Sequence, residues 1–180
     1  MKRFFKIVVF LALAIFFFTK IKMNTNQSDF LDSYLHELES YIEQRDAINI
    51  EVSQADVAWH LDHMLKTINQ IYLALEESNP DEFDSSFSMI RTASLSLNYI
   101  PRGRAQSPQS VRPPENILTE DIFSQLEEVR RNVKKFPELY KGAYFDHPVF
   151  GHLKRSHSMR FLQVHTNHHL KIIKDILETP

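Results

Sequence analysis

The sequence contains no cysteine, and that single absence excludes disulfides, thiolate-bound zinc, a cysteine nucleophile and a lipidated N-terminal cysteine. Glycine is almost as scarce. Gly103, Gly142 and Gly151 are the only three in 180 residues, and no two are spaced for a phosphate-cradling loop or a nucleophile elbow. Nucleotide-binding α/β folds and α/β-hydrolases are therefore disfavoured. Neither sign of charge dominates, with 21 basic and 23 acidic side chains, so nothing points to nucleic acid as a partner. Alternating apolar and polar runs, the mark of strands, are missing as well.

What is present divides into two unequal parts. Residues 1–23 form an anchor-like or signal-like segment: Lys2, Arg3 and Lys6 precede the unbroken apolar run Ile7 to Phe18, and Lys20 and Lys22 follow it. Counted from Phe4 to Ile21 with the lysines snorkelling, a helix here reaches about 27 Å, close to the roughly 30 Å of a hydrocarbon core. No small-residue cleavage pattern follows Phe16, Phe17 and Phe18, so the expectation is an uncleaved N-terminal hydrophobic helix and a membrane-anchored protein. A start at Met23 is the alternative and would leave a cytoplasmic chain.

Residues 28–180 read as one all-α domain. A first helix is predicted from Ser28 to about Arg45, with Leu31, Leu35, Leu38 and Ile42 on its inner side. A second follows Ser53 and carries Val57, Leu61, Met64, Ile68 and Ile71. A short helix is predicted from about Asp81 to Leu97, with Phe83, Phe87, Ile90 and Leu97 in register. A third long helix opens at Thr119 and ends before Pro137, and a last one runs from about Ser156 to Leu177. Between them, Ile100 to Glu115 and Glu138 to Lys154 are rich in proline or glycine and read as long crossover loops. The simplest architecture is a four-helix bundle with an additional short helix.

The remaining peculiarity is nine histidines, six of them between His147 and His169. At 100° per residue, His165 and His169 both fall within about 20° of the centre of the apolar stripe on the last helix, one turn apart, where two imidazoles can converge on one ion. His168 lies at the edge of that stripe. On the second helix His60 sits on the shoulder of the apolar arc and His63 about 60° further round. A histidine from the second helix facing the pair on the last one would complete three nitrogen ligands with a coordination position left open. A core histidine held by one hydrogen bond is the plainer account of any one of these.

The strings Trp59-His60-Leu61-Asp62-His63, His147-Pro148-Val149-Phe150-Gly151-His152-Leu153 and Arg160 to His169, with Pro101-Arg102-Gly103, resemble the DinB/YfiT-like superfamily of metalloenzymes, most closely an uncharacterised bacterial branch of it. The resemblance covers nearly all of residues 28–180. It implies a four-helix bundle and a divalent metal held by His60, His165 and His169, with His63 and His168 as alternative ligands. It further implies a metal-dependent transferase acting on a small molecule through a low-molecular-weight thiol, while the same open site would suit an activated water. Zinc fits a site of neutral imidazoles, with nickel and iron as alternatives. A noncatalytic, membrane-tethered metal-binding or interaction bundle is the competing function, and a homodimer is compatible with either.

Other side chains are candidates for substrate contact. Arg102, Arg104 and Arg112 lie in the long connection, where guanidinium groups could clamp an anion. His147 and His152 precede the last helix and are placed to line the mouth of the site or to order a turn. Asp62 and Asp175 are weak candidates for orienting a ligand imidazole, since both fall on solvent-facing angles. Trp59 falls away from the main apolar arc and is expected to pack under a loop or the short helix rather than to recognise a ligand. Arg45 is expected to serve the end of the first helix.

Overall fold

The computed structural model describes residues 28–103 and 106–178. Among these, five α-helices occur in the order α1 (Asp32–Ser40), α2 (Val57–Glu77), α3 (Met89–Leu97), α4 (Thr119–Lys135) and α5 (Arg155–Glu178). A two-stranded sheet, β1 (Tyr144–His147) and β2 (Gly151–Lys154), precedes α5. The protein is mostly helical, and α2 is its centre, packing against both α4 and α5, with α1 laid across those two and α3 against α5.

The long helices start and stop where local chemistry directs. The Asp56 side chain accepts the Trp59 N–H at 2.7 Å and so caps α2. Ser78 leaves that helix in extended conformation before Asn79 and Pro80. In α4 the acids Glu120 and Asp121 occupy the first turn and Lys134 and Lys135 the last, matching the helix dipole at both ends. Leu61, Met64, Leu65 and Ile68 of α2 are fully buried with Ile122, Leu126 and Val129 of α4 and with Leu162 and Ile173 of α5. Two polar layers cross this core between α2 and α4: Asn132 donates to Asn69 at 3.0 Å, and Gln125 donates to Asp62 at 2.7 Å.

Several expectations need correction. The first helix is shorter than its apolar spacing suggests: Ser28 to Leu31 form turns, and after Ser40 the chain tightens into a 3₁₀ turn at Ile42–Gln44. The short helix begins at Met89 rather than Asp81, because Ser88 caps it by accepting the Arg91 N–H at 3.2 Å. A hairpin occupies part of the stretch read as irregular, with Tyr144 paired to Lys154 and His147 to Gly151. Its three-residue loop, 148–150, leads into Gly151, whose φ of +67° is a left-handed conformation that glycine adopts without strain.

The anchor expected at residues 1–23 lies outside the described residues. The reading of a membrane-anchored protein is corrected, since no helix among the described residues is long and apolar enough to cross a membrane.

Candidate metal centre

The i, i+4 spacing of His165 and His169 brings their rings to 4.6 Å between centroids on the inner side of α5. His63 of α2 meets both, at 5.1 Å from His165 and 4.8 Å from His169. One nitrogen from each of these three rings lies within 4.8 Å of the other two. Three nitrogens on a tetrahedral zinc stand roughly 3.4 Å apart, so modest side-chain rotation would close the set around one ion.

Hydrogen bonding decides what each ring can offer. A carbonyl only accepts, so the 2.8 Å contact from His63 Nδ1 to the Val111 oxygen places the proton on Nδ1 and leaves Nε2 with a free lone pair. Val111 closes the 3₁₀ turn Gln109–Val111, so the long crossover loop serves to orient His63. His165 is half-buried as a residue, yet its Nδ1 is shielded from solvent and has no hydrogen-bond partner. An unpaired buried nitrogen of that kind is costly unless something electrophilic meets it.

His60 stands beside the trio. Its Nδ1 lies 2.9 Å from His169 Nδ1, and its Nε2 lies 3.1 Å from Ser53 Oγ. Two tautomer arrangements satisfy this chain. Only the one in which His169 Nδ1–H donates to His60, and His60 Nε2–H donates to Ser53, frees His169 Nε2 as a ligand.

Among the described residues no carboxylate enters this cluster, and the surroundings keep it neutral. Burial, reinforced by the neighbouring imidazoles, holds His165 and His169 well below the usual histidine range. Burial and then His63 take His60 down to about 3. His63 is lowered by burial too, against the opposing pull of the Val111 hydrogen bond and Asp62. Neutral imidazole is the metal-binding form.

Trp59, expected to pack elsewhere, is a wall of this site: it stacks on His63 at 4.9 Å and meets His60 edge-on at 5.3 Å. The i, i+4 spacing of Trp59 and His63 was the available signal. Asp62 is likewise not solvent-facing; it is buried, held by Gln125 and by Lys66 at 2.7 Å.

The remaining candidates scatter. His147 accepts the N–H groups of Val149 and Phe150 at Nδ1 and thereby orders the hairpin turn; burial lowers it to about 4. His152 accepts the Asp84 N–H at 2.9 Å and stacks on Tyr144, away from the trio. His168 contacts His169 edge-on at 5.0 Å and lines a cavity of about 550 Å³ together with Arg102, Asn167 and Lys171. Arg102 pairs with Asp175 at 2.6 Å on the rim. Arg112 donates to the Ser107 carbonyl, and Arg104 lies outside the described residues. Arg45 reaches past its own helix to Thr119 Oγ1, at 3.0 Å, and to the Ile117 carbonyl, bracing the start of α4.

Residues 31–175 match the profile of one family, described as protein of unknown function (DUF1569). The chain belongs to that family. No curated protein and no solved structure matches it. Membership of DUF1569 brings no assigned activity, so the histidine geometry carries the functional argument.

Proposed function

We propose that this DUF1569 protein is a metal-binding protein of the DinB/YfiT type. In this reading α1, α2, α4 and α5 are the four helices of the bundle, and His63, His165 and His169 hold one divalent ion, with zinc the expected metal. The observation that supports it most is the convergence of three neutral imidazoles, one with its second nitrogen committed to the Val111 carbonyl and one with an unpaired buried nitrogen. His60 is reassigned from ligand to orienting residue, because both of its nitrogens are engaged by His169 and Ser53.

A cation held by three imidazoles supplies Lewis acidity, which lowers the pKa of a thiol or water placed beside it. The protein's own contribution is to fix the three nitrogens, to shield one side with Trp59, and to offer the cavity beside His168 for a small substrate. Arg102 and Lys171 on that cavity favour a substrate with an anionic group.

The test is elemental analysis of the full chain purified without a metal-binding tag, beside His63→Ala, His165→Ala, His169→Ala and His60→Ala. The expected result is about one ion per chain, lost in the first three variants. In His60→Ala the ion is retained with affinity weakened about 10–100-fold, as befits an outer partner. A parent chain that stays empty after incubation with zinc, nickel and iron overturns the reading. Loss in His60→Ala with retention in His63→Ala would exchange their roles.

A further inference from the structure

Helix α3 is amphipathic the wrong way round for a helix that does no more than cover the core. Its inward side carries Ser94 and Leu95, both buried, and Arg91. The Arg91 guanidinium is taken up by the carbonyls of Ser86, Phe150 and His152. At 100° per residue the opposite arc contains Met89, Ala93, Leu97 and Ile90 within about 100°. Met89 is 76% exposed, Ile90 62% and Leu97 73%, and the arc is flanked by Phe87 at 80% and Tyr99 at 60%. Counted as whole residues these five present on the order of 700 Å² to solvent, comparable with the roughly 300–600 Å² of the largest apolar patch on an ordinary monomer, which is often functional.

We infer that this face of α3 is the interface through which two copies of the chain associate. The area matches: each partner in an interface of ordinary size contributes about 800 Å². The composition matches too. A twofold contact sets a surface against its own copy, so any charge on it meets like charge nearby. From Phe87 to Tyr99 the only charged residue is Arg91, and its guanidinium is turned inward on three carbonyls. Ala93, with Thr92 and Ser96 beside it, provides the small residues that let two helices approach at the centre. The inference does not rest on the three imidazoles, although Tyr99 also lines the cavity beside His168.

Sedimentation velocity of the full chain is expected to give a species of about twice 21.2 kDa that dissociates on dilution. In Ile90→Glu/Leu97→Glu the dimerisation constant should weaken at least tenfold, with the helical circular dichroism retained because both side chains are exposed. The absence of native cysteine allows a direct check. Single Met89→Cys, Ala93→Cys and Leu97→Cys chains are oxidised beside Glu128→Cys on the exposed side of α4, and at least one of the first three should form a disulfide dimer while Glu128→Cys stays monomeric. A chain that is monomeric at every concentration overturns the inference, whether the arc is left bare or covered by the chain's own apolar run at residues 7–18. So does a dimer untouched by the two glutamates.

Discussion

His63 and Trp59 stand one turn apart on α2 with their rings stacked at 4.9 Å, and Trp59 is the only tryptophan in the chain. An ion that engages His63 Nε2 would sit within a ring's breadth of this indole, so its emission becomes a report on the site. Titrating the metal-free chain with nickel, whose open d shell quenches excited indole at short range, should remove most of the fluorescence with a break at one ion per chain. His63→Ala should abolish the quench, whereas Arg130→Ala, whose guanidinium pairs with Glu39 and Glu127 and touches none of the rings, should leave it. Unchanged emission at saturating nickel would mean that the three imidazoles do not share an ion. The pair at His165 and His169 was legible in the sequence because it lies at the centre of an apolar stripe. That His63 rather than His60 joins this pair in the close trio was not, because the ring of His63 is held by a carbonyl at Val111, contributed by a crossover loop 48 residues away, which helical periodicity on α2 does not encode.

At the scale of elements, α2 and α4 are pinned by side chains that a purely apolar packing would lack. Asn69 and Asn132 are both buried and bond each other at 3.0 Å. Removing one partner strands the other amide in the core. Asn132→Leu should therefore destabilise by about 1–3 kcal/mol, while Asn69→Leu/Asn132→Leu should recover much of that loss because no polar group remains unpaired. Urea denaturation of the three chains measures it, and a double variant less stable than the single one by a further similar amount would refute the argument. The long helices were readable because Pro80, Glu120 and Pro137 mark ends on strongly periodic segments, although the second was expected to open after Ser53, three residues before its cap at Asp56. The hairpin escaped because its strands are four residues each, separated by a turn that holds Pro148 and with Gly151 opening the second, too short for alternation to register. The apolar spacing Phe83, Phe87, Ile90 and Leu97 misled for another reason: Ser88 resets the helix start, and three of those four side chains face solvent.

For the whole molecule, the concentration of neutral histidines in the interior sets how stability responds to acid. In the unfolded chain each imidazole titrates near 6.5, whereas in the folded protein burial takes His60 to about 3 and His147 and His168 to about 4. Between those values the unfolded state binds more protons than the folded one, so stability must fall as pH drops and recover as pH rises. The loss begins near pH 6.5 and continues to about pH 4, below which His147 and His168 protonate in both states. These three groups alone contribute at most about 4 kcal/mol per pH unit, reduced by the partial exposure of His147 and His168, and His63, His165 and His169, which burial also lowers, act in the same direction. Against a typical stability of about 5–15 kcal/mol, that is enough to unfold the metal-free protein within one to a few pH units. Urea midpoints recorded in chelator at half-unit steps should be nearly level above pH 7 and fall steeply from pH 6.5 to 5. Replacing His147 by Asn, whose side-chain oxygen can still accept the turn N–H groups but does not titrate, should flatten that slope by up to one proton. A profile that stays level down to pH 5 would mean that the interior imidazoles titrate as freely in the folded protein as in the unfolded chain.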